Sequence, residues 1–517
     1  MGFFHAFYFV SFMATTIGFG EIPYEFTDAQ RMWVTFSLYA TAVAWIYALS
    51  NILTLVQDKT FQQAMTESLF ARRIRRLREP FYLICGYGET GSALVQALTD
   101  RDQHVVVIDI DTHRVSVLQL ENLRQYVPAL HADASRPIHL LEAGLEHPLC
   151  AGVVALTNEN DVNLKVAITS KLPHPDIKVI CRADSHDIEV NMASFGTDYI
   201  IDPFDTFANH LAIALQAPSL NLLYDWLTGV RHQELREPVC PPKEGHWIIC
   251  GYGRFGKAVY RRLKIEGLTP VVVEALPEQA GAPEDCITGR GTEAVTLEEA
   301  GIGQAVGLVA GTDDDANNLS IIMTARELCS DLFVVLRQNQ QDNHRIIEAV
   351  NADMTMHPSA IIANKVLVLL ATPLLYEFMS LALHESDSWA CELISRISAL
   401  VNTRVPEIWE VEFIPEHALA VCSSIDRGQP ATLQEVTTDP RERCLPCILL
   451  LLKRGNSITM LPKDGLHIKQ GDRLLCCGQY SASRRMEWGL QNEHALSYIL
   501  TGRAQLQGWI WKLFQQT

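Results

Sequence analysis

The sequence predicts an apolar membrane segment at the N-terminus, then two α/β lobes built on parallel sheets, then a small α+β lobe. Three observations predict it. Residues 32–56 run for 25 residues without a charge, long enough to span a bilayer as a helix. A glycine-rich loop, Gly86-Tyr-Gly88-Glu-Thr-Gly91, recurs 165 residues later as Gly251-Tyr-Gly253-Arg-Phe-Gly256, each time between an apolar run and a helical stretch. Residues 406–480 hold short β-like runs separated by Pro- and Gly-containing turns.

The N-terminal elements come first. Residues 3–13 are aromatic and apolar but only 11 long, enough to dip into a bilayer and too few to cross it. Residues 15–21 read Thr-Thr-Ile-Gly-Phe-Gly-Glu. Alternating glycines in such a loop let the backbone turn its carbonyls toward one axis. Glu25 and Asp28 then make a polar, acidic stretch before the long apolar run, and Arg72, Arg73, Arg75, Arg76 and Arg78 follow it. Positive charge marks the cytoplasmic flank, so the loop faces out and the rest of the chain is expected in the cytoplasm.

Thr16, Ile17, Gly18, Phe19 and Gly20 resemble a potassium selectivity filter, with Phe19 at the usual Tyr and Glu21 at the usual Asp. The whole of residues 1–57 resembles the pore helix, filter and inner helix of two-transmembrane potassium channels. That resemblance implies K+ as the permeant ion, a homotetramer around one pore, and placement in the plasma-membrane lipid bilayer. It also implies an outer helix that residues 1–57 lack, so the complete protein is expected to be multi-pass. No Gly falls in residues 32–56, so no glycine hinge is assigned there.

Composition excludes other classes. The net charge of −18 argues against nucleic acid as a partner. The 13 cysteines are scattered, with one Cys-x-x-Cys at Cys444 and Cys447 and a vicinal pair at Cys476 and Cys477. Nothing completes a zinc site, and in a cytoplasmic compartment the thiols are expected to be reduced.

Each lobe opens with the order strand, Gly-loop, helix, strand, acid. The acid is Asp109 in the first and Glu274 in the second, each 23 residues after the first glycine of its loop. The first two glycines permit a tight turn and close approach to a phosphate, the third lets helix pack on strand, and the helix N-terminus offers free N–H groups. A carboxylate at this distance can accept ribose hydroxyl protons. One such loop is weak evidence of a nucleotide site, but two with identical internal spacing are strong. Later landmarks repeat as well: residues 156–163 match 310–318, and strands at 177–182 and 332–337 both end in Arg. Alternating strand and helix implies parallel sheets whose ligands sit at the strands' C-terminal ends. The copies differ at Asp133, which aligns with Arg290. An acid there suits a hydroxyl, amine or cation, and a base suits a phosphate, so different ligands, or one site kept only for structure, are expected.

Both halves resemble the N-terminal lobe of RCK domains, also called TrkA-N or KTN domains, which are Rossmann-like regulators of potassium channels and transporters. The resemblance implies NAD(H), ATP or ADP at Gly86, Gly88, Gly91 and Asp109, and at Gly251, Gly253, Gly256 and Glu274, with Asp133 and Arg290 added by position. A divalent cation regulates some members. The Gly-Asp-Arg-Leu at residues 471–474 resembles a strand of the RCK C-terminal lobe. The expected organisation is a pore segment at 1–57, a basic linker at 58–79, N-lobes at 80–215 and 246–370 joined by a connector at 216–245, a helical connector at 371–404, one C-lobe at 405–482 and a helical tail at 483–517. Residues 361–383 are apolar enough to suggest a second span, but Lys365, Pro373 and Glu377 oppose that. They are expected to be buried dimerisation helices that close the second lobe.

The function this implies is a potassium channel gated by nucleotide or cation binding to paired cytoplasmic lobes. A membrane-attached regulatory subunit of a TrkA-type uptake system is the alternative. No His-Asp pair, Ser-x-x-x-Tyr-x-x-x-Lys relay or Cys nucleophile stands beside either Gly-loop, so an enzyme is not expected.

Overall fold

The computed structural model describes residues 3–14, 27–229, 237–440 and 444–502. Thr16, Ile17, Gly18, Phe19 and Gly20, and Glu25, lie outside them. A 12-residue helix, Phe3–Ala14, precedes the 30-residue helix Asp28–Gln57. The longer helix starts at a capping box. The Gln30 N–H donates to Thr27 Oγ1, and the Thr27 N–H donates to Gln30 Oε1 at 3.0 Å. Thirty residues rise about 45 Å, and none of them is buried against the rest of the chain. Trp33 and Tyr47 are 68% and 70% exposed, an apolar surface that suits lipid rather than water. The expected linker is ordered instead as the helix Lys59–Ile74, which buries Phe70 and Ile74 in the core of the first lobe.

The first lobe is a six-stranded parallel sheet of β1 (Phe81–Cys85), β2 (His104–Asp109), β3 (Ala129–His131), β4 (Cys150–Ala155), β5 (Lys178–Arg182) and β6 (Tyr199–Ile201), in the order β3-β2-β1-β4-β5-β6. The second repeats it with β7 (His246–Cys250), β8 (Thr269–Glu274), β9 (Ile287–Thr288), β10 (Ala305–Ala310), β11 (Phe333–Arg337) and β12 (Met354–Met356), in the order β12-β11-β10-β7-β8-β9. Central strands such as β1, β2 and β7 are almost wholly buried, as parallel strands covered by helices on both faces must be.

The lobes exchange helices. Helix Pro203–Gln216, which follows β6, sends Phe204, Phe207, Leu211 and Leu215 into the core of the second lobe against Trp247, Phe255 and Val259. Helix Pro358–Ala371, which follows β12, sends Ile362, Val366 and Leu370 into the core of the first lobe against Ile84, Leu94 and Leu98. This corrects the expectation that residues 361–383 close the second lobe. Apolar periodicity marks a buried helix without saying which sheet it meets. The helix then breaks by 112° before Pro373–Ala382, which packs into a separate core with strands of the third sheet. The bend and the burial account for this apolar stretch as core.

Asp202 caps helix Pro203–Gln216, accepting the Phe204 N–H at 2.7 Å. Burial raises its carboxyl to about 6 despite that bond, against about 3.9 unfolded. A raised acid pKa supplies stability that is present below about pH 4 and lost as pH rises through 6. Asp202→Asn keeps the cap and removes the buried charge. It is expected to raise stability at pH 7.5 by about 1–2 kcal/mol, with the gain vanishing at pH 4 in thermal melts.

The third sheet is antiparallel, ordered β13-β16-β14-β15, from β13 (Glu407–Glu412), β14 (Cys447–Arg454), β15 (Ser457–Met460) and β16 (Arg473–Gly478). The Gly-Asp-Arg-Leu segment enters β16 with Asp472 buried. Its carboxylate receives both arms of the Arg454 fork, at 2.9 and 2.7 Å, and the Lys469 N–H. Helices Tyr480–Gln491 and Glu493–Thr501 close this lobe. Between Gln216 and His246 the described residues hold a helix, Pro218–Thr228, and no strand, so the first half has no such sheet of its own there.

Candidate functional site

Each Gly-loop leaves the C-terminal end of its first strand. Gly86 and Gly251 sit at φ +105° and +95°, a region open to glycine and strained for other residues. Their N–H groups donate to Ile108 and Val273 carbonyls, at 2.8 and 2.9 Å, tying each loop to the neighbouring strand. Beside them, Asn163 and Asn318 repeat one network. Each accepts the N–H of Thr157 or Thr312 and donates to the carbonyl of Arg182 or Arg337. These are the repeated landmarks downstream of the two loops, and their job in the fold is to hold the strand ends around each cleft.

The two acids end β2 and β8. Asp109 accepts the Tyr87 N–H at 2.5 Å and the Asp111 N–H at 2.7 Å. Glu274 accepts the Tyr252 N–H at 2.6 Å and the Leu276 N–H at 3.1 Å. The environments then diverge. Asp109 is 4% exposed, and Arg114 reaches over it, 3.8 Å from its Oδ2. The same guanidinium lies 3.6 Å from where a Cβ on Gly88 would stand. Around Gly253 the corresponding space is open to 4 Å, and Glu274 is only half-buried.

That opening is a cleft of about 650 Å³ lined by Gly251, Gly253 and Glu274. Four cations, Arg254, Lys257, Arg290 and Arg337, face it, against the acids Glu274 and Asp313. At the first loop, Glu89 and Ser92 stand where Arg254 and Lys257 do. Asp133 accepts the N–H of Ser135, two residues on, at 2.8 Å, while Arg290 is exposed at the cleft. The second cleft is therefore shaped and charged for an anion. Sequence reasoning missed Arg254, Lys257 and Arg337. The basic residues inside the second Gly-motif, against an acid inside the first, were the available signal. Among the described residues no group of three or more His, Cys, Asp or Glu could hold a metal ion.

Two parallel sheets with a Gly-loop and an acid at the same edge define a pair of dinucleotide-type α/β lobes. More particularly, residues 82–203 and 247–358 match the TrkA-N domain, so the chain carries two TrkA-N domains. It is similar to Potassium channel protein 1 of Methanocaldococcus jannaschii, at 29% identity over 28% of this chain and 45% of that one. It is similar also to a Trk system potassium uptake protein TrkA homolog of Pyrococcus horikoshii, at 32% identity over 24% of this chain and 60% of that one. The chain thus spans less than two thirds of either relative's length. A structure described as GsuK channel bound to NAD shares the fold, with a TM-score of 0.52 at 15% identity, over 95% of this chain and 93% of that one.

Proposed function

We propose that this chain is a subunit of a potassium channel of the plasma membrane, gated by a phosphate-bearing nucleotide in the cleft of its second lobe. The observation that carries the reading is the cleft itself: a Gly-loop, a ribose-type acid and four cations around about 650 Å³, a volume that suits a small-molecule ligand. ADP, ATP and NAD(H) all present the required diphosphate. Thr16, Ile17, Gly18, Phe19 and Gly20 form the K+ filter in a homotetramer, helix Asp28–Gln57 is its inner helix, and the lobes face the cytoplasm. Helix Lys59–Ile74 runs from the end of that helix into the first lobe's core, which gives the lobes a stiff lever on the pore. A ligand shifts such an equilibrium only by its difference in affinity for the two states. The similarity to a potassium channel protein and to a TrkA homolog supports a role in potassium transport. The TrkA similarity also supports a second reading, a regulatory subunit of an uptake system, and K+ over Na+ flux through reconstituted full-length protein separates the two.

The first lobe is assigned a structural role, because Arg114 already occupies the space over Gly88. The two loops are told apart by filling each with leucine. Gly253 has φ −72° and room for a side chain, so Gly253→Leu folds and plugs the cleft. Calorimetry on the full chain in detergent is expected to show ADP affinity falling about 100-fold or more, roughly 2.7 kcal/mol. Gly88→Leu is expected to leave it within about twofold. Equal losses from the two variants, or none from Gly253→Leu, would refute the assignment.

A further inference from the structure

The cation cluster of the second cleft does not stand on the second lobe alone. The Arg254 Nη1 donates to Asp184 Oδ2 of the first lobe at 2.7 Å. Asp184 is 6% exposed; its other oxygen accepts Arg182 Nε at 2.9 Å, and its own N–H donates to Asn160. It is a fixed anchor rather than a surface carboxylate. Phe204, from the exchanged helix of the first lobe, supplies the other support. The guanidinium carbons of Arg254 and Arg337 lie 5.3 and 5.2 Å from the centroid of its ring, within cation–π range. Phe204 is in turn packed against Phe255 of the second Gly-loop helix.

Arg337 is the unexplained group. Its Nε is buried without a hydrogen-bond partner, and its guanidinium lines the cleft. Burial lowers its pKa, and the neighbouring charge of Arg254 lowers it further. A half-buried guanidinium beside another cation is a costly arrangement that Asp313, Asp315 and Asp184 offset only in part, and an anion in the cleft would offset more of it. The opposite interface shows that the fold does not require it. At the first Gly-loop the corresponding residues are Glu89, Asn339 and Ser359, and Glu89 simply accepts the Ser359 hydroxyl at 3.1 Å. The cationic clamp exists on one side only, the side with the open cleft.

We infer that Asp184 and Phe204 of the first lobe are positioning residues for the second lobe's site, holding Arg254 and Arg337 so that both guanidiniums meet the phosphates of the bound ligand. The site is thus assembled across the interface, and ligand binding strengthens the link between lobes through a carboxylate–guanidinium–phosphate bridge. This rests on the reading of the cleft as a phosphate site.

The test uses the full chain in detergent with ADP and adenosine as probes. Asp184→Asn keeps the shape of the side chain and removes the charge that orients Arg254. ADP affinity is expected to fall about tenfold, while adenosine, which lacks the phosphates, changes less than about twofold. In an Arg254→Gln background, Asp184→Asn is expected to add nothing further, because the two act as a unit. Phe204→Leu keeps the apolar contact without the aromatic face, and is expected to weaken ADP several-fold by the same selective pattern. Unchanged or tighter ADP binding in Asp184→Asn, equal losses for ADP and adenosine, or additive losses in the double variant would overturn the inference. If the wild type binds neither ADP nor inorganic pyrophosphate, the phosphate-site reading itself falls. If it binds and the first-lobe variants are silent, only the cross-lobe assignment falls.

Discussion

Gly256→Ala is expected to abolish folding of the second lobe, although it adds a single methyl group. The third glycine of the loop is where the helix Arg254–Ile265 crosses the turn it grows from. A Cβ built on Gly256 would stand 1.9 Å from the carbonyl oxygen of Gly251 and 3.0 Å from its carbon. Both obstacles are backbone, so no rotamer change relieves them. Gly251 cannot yield either, since its φ of +95° and its hydrogen bond to Val273 define the turn. The helix must lift off the sheet, taking Phe255 and Val259 out of a core where both are fully buried. A cost above about 4 kcal/mol follows, in the range reserved for severe core or backbone disruption. Gly91→Ala in the first lobe meets Gly86 at 2.0 Å and is expected to behave alike. Calorimetric melts of the full chain should show the cooperative transition lowered steeply or lost, since each lobe's core borrows a helix from the other half. Gly253→Leu serves as the control: it adds a larger side chain two residues past the first glycine and should melt as the wild type does. Near-normal melting of Gly256→Ala would mean that the helix does not approach the loop so closely.

The close approach at Gly91 and Gly256 was legible in the sequence because local geometry dictates it: a turn, a helix and a strand within thirty residues admit few arrangements. The duplication was legible for the same reason, as was the strand-rich C-terminal lobe. What sequence could not assign were contacts between segments far apart in the chain. Ile362 and Val366 announce a buried face, yet only the folded chain shows that face meeting β1 and β4 rather than β7 and β10. Arg254 is visibly unlike Glu89, but its partner Asp184 lies 70 residues earlier in a loop with no motif. Arg114 over Gly88 was hidden because its helix, Thr112–Leu120, reads as surface. The pairing of Asp133 with Arg290 was visible as a change of sign. Its consequence, one carboxylate bonded to its own loop and one guanidinium exposed at a cleft, depended on side-chain direction.

The exchange of helices has a consequence that distinguishes it from two lobes merely touching: a cavity made by mutation in one half should loosen the other. Ile362 and Leu211 are the matched sites. Both are 0% exposed, Ile362 against Ile84, Leu94 and Leu98 of the first lobe, Leu211 against Trp247, Ile249 and Phe255 of the second. Removing such a side chain costs about 2–5 kcal/mol. The loss falls on the sheet that the helix covers, not the sheet that precedes it in the chain. Hydrogen exchange read by mass spectrometry resolves this, because local stability is reported segment by segment. Ile362→Ala is expected to release β1, β2 and helix Glu89–Thr99 while β7 and β10 keep their protection. Leu211→Ala is expected to do the reverse. Loss confined to each mutated residue's own half would reject the exchange. If it holds, neither lobe is stable without the other's helix. A ligand that ties Arg254 to Asp184 then acts on an interface already built into both cores, which is the kind of element whose two arrangements a ligand can bias.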